Sequence, residues 1–382
     1  MNVLFLSAWW PTRVFPTHGN FVEKHARVVA RRHQLTVVAV QEDYELPLGT
    51  REIMETVREG FREIIVYFGK RDAQGQFGRL KARFLAYRRG IKLAERLDGR
   101  PDVVHANLLL DAGVIAGLYA LESRVPFVVS EHASRYTQAR PLPILRSVLA
   151  KWACRRAALV LPVSAQLADS MQSKHHLRGN YRVVSNVVDT SLFRPALSKP
   201  PDSRMRLLHV SNFREETKNI TGLLRSYRRL SERHPHRYRL TLAGDGDLEE
   251  VRERISSVGL TDAEVNVSGP HSEAEVARLM QTHDVFVLFS HRETQGVVLL
   301  EAMAVGLPCI ASGIGDDLIV DGLNGYRVEA ANEDQLVSAL ERMHTAYPDF
   351  SPVAIRDTAV KRYGEHRVLQ QLEEVYNAAL ID

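Results

Sequence analysis

At 382 residues, with 45% hydrophobic and 25% charged residues, the chain is long for a single core and has the composition of an ordinary soluble globular protein, so two domains are expected. Its net charge of +4 is small, and no organised basic and aromatic surface of the kind a nucleic-acid binder needs is visible. Two cysteines, Cys154 and Cys309, exclude a disulfide framework and a cysteine metal cluster, and suit a reducing compartment.

The opening MNVLFLSAWWP lacks a basic n-region and is too short for a signal peptide. Short β-branched runs then alternate with helical periods, as in an α/β protein with parallel sheets. The expected strands of the first half are NVLFLS, LTVVAV, EIIVYF, DVVHA, FVVSE, ALVLPV and YRVVSN, with helices over 20–32, 77–97, 111–121 and 144–155. Two basic stretches lie here. Residues 62–100 hold eleven Lys or Arg against four acids, and residues 135–156 hold six with no acid. Solvated helix faces and contact with an anionic membrane or substrate are the competing readings. The longest apolar run, LLLDAGVIAGLYAL, is broken by Asp111 and falls short of a membrane span. The expected location is therefore cytoplasmic, with the inner face of the plasma membrane as a peripheral site.

RPALSKPPDSR, residues 194–204, is patternless and Pro-containing and reads as a linker between domains at 1–193 and 205–362. Beyond it the alternation restarts with strands RLLHVS, RLTLAG, EVNVSG, DVFVLF and PCIAS and helices over 220–233, 248–258, 273–281 and 296–305. Ligands of such open sheets bind beyond the carboxyl ends of the strands, which directs attention to the residues just after each one.

After DVFVLF comes SHRETQG and then the helix VVLLEAMAV, closed by Gly306 as a left-handed cap and by Pro308. Glu293 falls in the loop. Glu301 lies more than one turn into the helix and is the only charge from Thr294 to Gly315. Gly296 lets backbone approach closely at a helix start whose free N–H groups form an anion site. Two carboxylates on either side of that start could serve hydroxyls flanking a diphosphate; a buried glutamate satisfied by protein donors is the alternative for Glu301. HVSNFREETKNI places Arg214 and Lys218 directly after a strand, poised for phosphate. PTHGNFVEKHA puts Gly19 and Asn20 at another helix start, and FVVSEHASRY puts Glu131 and His132 at a strand end. His105, in DVVHAN, reads as structural. Asp245 and Asp247 spell D-x-D within LAGDGDLEE, where helix capping is the favoured reading.

Taken together, E-x7-E in ETQGVVLLEAMAVGLP, with GNFVEKHA, PDVVHAN, SEHAS, LPVSAQLADSM, NVVDTSLFRP, VSNFREETKN, LAGDGDLEE and DGLNGYRV, resembles a retaining glycosyltransferase of family 4 over nearly the whole chain. The resemblance implies the GT-B fold: two Rossmann-like, doubly wound α/β domains facing a central cleft, with a C-terminal helix (363–382) crossing back to the first domain. It implies that Glu293 holds hydroxyls of the donor sugar and Glu301 the nucleotide ribose. The backbone of Gly296, Val297 and Val298 would meet sugar and diphosphate, with Lys218 and Arg214 on the diphosphate. His132 would reach the transferred sugar, and Gly19 and Asn20 would lie near diphosphate and acceptor. No metal or other cofactor is implied, and no protein nucleophile, because in such enzymes the donor phosphate takes the acceptor's proton.

The implied activity moves a sugar from a nucleotide sugar to a glycan or lipid-linked acceptor, in cell-surface polysaccharide or lipopolysaccharide biosynthesis. A nucleotide-sugar-binding GT-B protein with a hydrolase, epimerase or regulatory role is the alternative. A dinucleotide dehydrogenase is disfavoured, since no G-x-G-x-x-G follows a strand. The sequence departs from the family pattern at Thr294 and Gln295, where Gly and Phe are usual, at Ser211 and Asn212 in place of Gly-Arg, and at Asp316 and Asp317 in GIGDDLI. Those positions bear on the sugar pocket.

Overall fold

In the computed structural model all residues are described except 59, 70–74, 139, 197, 200, 201, 316 and 382, together with the side chains of 75–77. The first half contributes β1 (Asn2–Ser7), α1 (Asn20–Ala30), β2 (Gln34–Asp43), β3 (Arg51–Arg58), β4 (Phe61–Gly69), α2 (Gly75–Asp98), β5 (Val103–Asn107), α3 (Val114–Ser123), β6 (Phe127–Glu131), α4 (Ile144–Arg156), β7 (Leu159–Pro162) and α5 (Ala165–Ser173). The second contributes β8 (Met205–Ser211), α6 (Glu215–Lys218), α7 (Ile220–Arg233), β9 (Tyr238–Gly244), α8 (Leu248–Ser257), β10 (Val265–Ser268), α9 (Glu273–Thr282), β11 (Val285–Phe289), α10 (Val297–Val305), β12 (Cys309–Ser312), β13 (Gly325–Arg327), α11 (Glu333–Ala346), α12 (Pro352–Tyr363) and α13 (Glu365–Ile381). No helix among the described residues is long and apolar enough to cross a membrane.

These elements form two units, one of residues 1–187 with 366–382 and one of residues 188–365. In the first, seven strands run in the order β3-β4-β2-β1-β5-β6-β7, parallel except for β3, which pairs antiparallel with β4. Alternate residues of β1 face opposite sides, as the period of a strand requires. Val3 and Phe5 pack with Val22 and Val29 of α1 and Tyr376 of α13, while Leu4 and Leu6 pack with Tyr87 of α2, Ala116 of α3 and Ala153 of α4. A sheet covered on both faces explains why its strands read as continuous apolar runs. In the second unit six parallel strands run β10-β9-β8-β11-β12-β13. Strand order reverses between β1 and β5 in one sheet and between β8 and β11 in the other, the points where open sheets accept ligands.

Several sequence expectations need correction. YRVVSN is not a strand: among the described residues it makes one isolated bridge, Val160–Tyr181, with Arg182 N donating to Val160 O (3.0 Å) and Val184 N to Pro162 O (3.2 Å). The helix expected over 111–121 begins instead as a π-helix, Leu108–Gly113, entered through Leu108 at φ 78. The division of the chain falls at 187/188, ahead of the 194–204 stretch. Phe193 is fully buried in the second unit's core, and the Arg356 guanidinium donates to Phe193 O at 2.7 Å and Thr190 O at 2.8 Å. Leu197, Pro200 and Pro201 of that stretch lie outside the described residues.

Residues 366–382 belong with the first unit. Val368, Leu372, Val375 and Tyr376 fall at helical spacing on one face of α13 and are fully buried. Burial of side chains this size contributes about 2 kcal/mol each. The Tyr376 hydroxyl and His105 Nδ1 share a 2.7 Å hydrogen bond, and His105 Nε2 meets Ser130 Oγ at 2.7 Å, so His105 serves structure, as expected.

Candidate active site

In the second unit the site residues gather at the reversal between β8 and β11. β8 ends at Ser211, whose hydroxyl accepts from Phe213 N and meets His209 Nε2 at 2.8 Å, while His209 Nδ1 donates to Val287 O. Burial pushes the His209 imidazole down to about 4, with Lys218's charge acting in the same direction. The chain then turns through Arg214 into the single turn α6, and Lys218 N and Thr217 N both close on Arg214 O. Thr217 O in turn accepts from His291 N at 2.8 Å, which fixes the loop after β8 to the loop after β11.

That register presents Lys218 Nζ to Glu293 Oε1 at 2.5 Å. The same oxygen accepts from Ser290 Oγ at 2.8 Å, and Glu293 N donates to Gly313 O at 2.8 Å. Side-chain exposure is 16% for Lys218 and 10% for Glu293, so the pair sits in a largely dry setting where a charge contact is strong and directional. Gly313 is required: at φ 68, a side chain there would place its Cβ 2.6 Å from Ser290 O.

Three residues beyond Glu293, Gly296 takes a left-handed conformation (φ 72) at the N-cap of α10, where it offers no side chain to cap the helix. The first N–H groups of α10, from Val297 and Val298 onward, therefore form a helix start that its N-cap residue leaves open. Glu301 is buried on this helix and engaged in interactions within the protein, and Gly306 closes it at φ 88. Lys218, Glu293 and the start of α10 are thus brought together as a cation, a carboxylate and a row of amides. Arg214 is exposed, and its guanidinium makes no ion pair or side-chain hydrogen bond among the described residues.

Two of the remaining acidic candidates, Asp247 and Asp317, have local partners. Asp247 caps α8, its carboxylate accepting from Glu249 N and Glu250 N. No group of three metal-ligating side chains occurs among the described residues. Asp317 pairs with Arg362 at 2.6 Å, and Asp316 lies outside the described residues.

In the first unit, Gly19 is the left-handed N-cap of α1 (φ 82), and a Cβ there would lie 2.4 Å from the Trp9 carbonyl. Asn20 is the first residue of α1. This helix carries Phe21 and His25 to the end of β6, with ring centroids 4.7 Å and 5.9 Å from His132. The structure therefore brings the Gly19–Asn20 helix start and His132 together. Glu131 holds that strand end in shape, its buried carboxylate accepting from Leu109 N, His132 N and Ala133 N at 2.8–2.9 Å. Burial keeps His132 well below the usual imidazole range, and His25 and His105 add to the effect. It is accordingly neutral at pH 7, with one N–H and one lone pair to offer. Neither ring nitrogen makes a hydrogen bond of ordinary geometry among the described residues; Asn186 is the polar side chain beside it.

Sequence reasoning missed Ser290, Thr217, Gly313 and His25. The signal for Ser290 and Gly313 was their position, each the first residue after a strand. Thr217 and His25 carried no local signal, since their partners come from distant segments. Asn107, at the end of β5, is fully buried with both amide atoms unpartnered among the described residues.

Residues 19–192 match Glycosyltransferase Family 4, and residues 204–346 match Glycosyl transferases group 1. The chain is 23% identical over 299 residues to the N-acetyl-alpha-D-glucosaminyl L-malate synthase of Bacillus anthracis, covering 74% of this chain and 76% of that protein. It is 30% identical over 242 residues to the alpha-D-kanosaminyltransferase of Streptomyces kanamyceticus, covering 57% and 61% respectively. Among solved structures, sucrose-phosphate synthase of Thermosynechococcus elongatus superposes with a TM-score of 0.76 at 17% identity, covering 98% of both chains. Anabaena HepE in complex with UDP and glucose gives 0.70 at 18%, covering 99% of this chain and 100% of that one.

Proposed function

Since the chain belongs to the family 4, group 1 glycosyltransferases and has the GT-B fold, we propose that it is a retaining enzyme that moves a sugar from a nucleoside-diphosphate donor to a glycan or lipid-linked glycan acceptor, without a metal, at the cytoplasmic side of a membrane. The observation that carries it is the 2.5 Å contact of Lys218 with Glu293 beside the glycine-started helix α10. Departure of a nucleoside diphosphate builds negative charge, which a fixed ammonium and helix amides stabilise. Transfer of Lys218 from Glu293 to the diphosphate leaves the Glu293 carboxylate for sugar hydroxyls. Glu301 is assigned to the ribose, Arg214 to the diphosphate, His132 to the transferred sugar, and Gly19 with Asn20 to the diphosphate and acceptor side. HepE's complexes with UDP, glucose and UDP-glucose support a nucleotide-sugar donor.

In the proposed step, the acceptor oxygen bonds to the anomeric carbon on the face from which the phosphate leaves. The bond from that carbon to the phosphate oxygen breaks, and the acceptor's proton passes to a phosphate oxygen. No protein nucleophile takes part. A thermal-shift and hydrolysis screen against UDP-, GDP- and ADP-sugars tests this, with Glu293→Ala and Glu301→Ala alongside. One sugar should stabilise the wild type, Glu301→Ala should lose nucleotide response, and turnover should survive EDTA. Equal stabilisation of wild type and Glu301→Ala sinks the ribose assignment, and an inverted anomer in the product sinks retention.

A further inference from the structure

The start of α4 holds three large aliphatic side chains in solvent. Ile144, Leu145 and Val148 are 86%, 48% and 58% exposed, with Ile144 and Val148 one turn apart on the same helix face. Scattered exposed aliphatics are normal, but three within five residues are a patch that water disfavours. Charge surrounds it. Residues 135–156 contain six Lys or Arg and no acid, and Arg140, Arg146 and Lys151 make no ion pair among the described residues. The other basic stretch behaves differently. In residues 62–100, Arg62 pairs with Asp98, Arg79 with Glu42, Arg83 with Asp111 and Arg88 with Glu122, so acids on neighbouring elements offset much of its charge.

We propose that the start of α4 docks on an anionic lipid surface, with Ile144, Leu145 and Val148 entering the headgroup–acyl boundary while Arg140, just before the helix, and Lys151, on the same helix face as Ile144 and Val148, meet lipid phosphates. Aliphatic insertion plus unneutralised basic charge is the combination that draws an exposed protein patch onto such a surface. A second copy of the chain is a poorer occupant, because pairing this patch with itself sets arginine against arginine. The surface deepens the reading of a lipid-linked acceptor, on which it rests for its purpose, but its binding requires neither donor nor acceptor.

The test is co-sedimentation of the full chain with vesicles of phosphatidylcholine alone and of phosphatidylcholine with phosphatidylglycerol, without nucleotide sugar. Binding is expected to the anionic vesicles only and to weaken with salt. Arg140→Ala/Lys151→Ala should lower the partition about 25-fold, some fivefold per charge. Ile144→Ser/Val148→Ser should lower it at least about tenfold at an unchanged Tm, since both side chains are exposed. Lys92→Ala/Arg96→Ala in α2 should change it by less than about twofold. Three results overturn the proposal: no binding of the wild type to anionic vesicles, an equal loss in the α2 variant, or a dimer abolished by Ile144→Ser with no vesicle binding. Each leaves nucleotide-sugar turnover to be judged separately, by the donor screen.

Discussion

Replacing Lys218 by methionine leaves the Glu293 carboxylate with the Ser290 hydroxyl as its remaining side-chain contact at that oxygen. Two unit charges at 2.5 Å attract by roughly 6–7 kcal/mol gross at an effective dielectric near 20, most of it offset by the cost of drying both groups. Removing one partner of a buried pair costs about 3–5 kcal/mol. Here the residual exposure of 16% and 10% and the Ser290 hydroxyl relieve part of this, giving about 2–3 kcal/mol. At about 2–4 °C per kcal/mol for a unit of this size, the transition of residues 188–365 should fall by about 5–10 °C. Lys218→Met/Glu293→Gln removes both charges and should recover most of that loss, for a coupling energy of about 2 kcal/mol. Calorimetry of the wild type, both single variants and the double variant measures it. Saturation with the donor should shrink the coupling, because phosphate then competes for Lys218. A coupling below about 0.5 kcal/mol without ligand would refute the reasoning, since the pair would then behave as a solvated surface contact.

Gly19→Ala, at φ 82 with its Cβ 2.4 Å from Trp9 backbone, should cost more than about 2 kcal/mol in denaturant unfolding, whereas Gly60→Ala, at φ 90 but with 3.8 Å of clearance, should cost about 1 kcal/mol. His209, held at about 4 against an ordinary 6.5, takes up its proton later in the folded state than in the unfolded one. Its contribution is therefore complete above about pH 6.5 and is lost as pH falls towards 4, by on the order of 3 kcal/mol. A Tm-versus-pH curve for His209→Asn should be flatter than wild type in that window, and parallel curves would exclude the effect. Asp247→Ala should cost about 1 kcal/mol as a lost helix cap, read as a Tm decrease, while activity in EDTA stays unchanged.

Much of the candidate site was legible as a local arrangement because Glu293, Gly296 and Glu301 occupy one strand–loop–helix segment, where apolar period, glycine and lone charge are all local signals. Lys218 was legible as a cation after a strand, but its partner was not. The two residues are 75 positions apart, and only the adjacency of β8 and β11 joins them. The same holds for His105 and Tyr376, 271 positions apart. YRVVSN has strand composition, yet tertiary context offers it only one bridge. The π-helix after β5 was hidden because its left-handed entry residue is Leu108, where sequence would lead one to look for glycine. The Pro-containing 194–204 stretch drew the linker to itself, whereas the boundary is set by Phe193 in a core and by Arg356 holding two carbonyls.

Helix α13 has a consequence for biosynthesis. Its residues 366–381 leave the ribosome after every residue of the second unit, yet they complete the core of the first. The unit that is translated first therefore finishes last. Until Val368, Leu372 and Tyr376 arrive, Val3, Phe5 and Val128 lack part of their cover and His105 lacks its hydroxyl partner. A nascent chain stalled before residue 366 would expose that surface while residues 188–365 were already able to fold. Cutting the gene at 187/188 would accordingly yield one fragment with a whole core and one without.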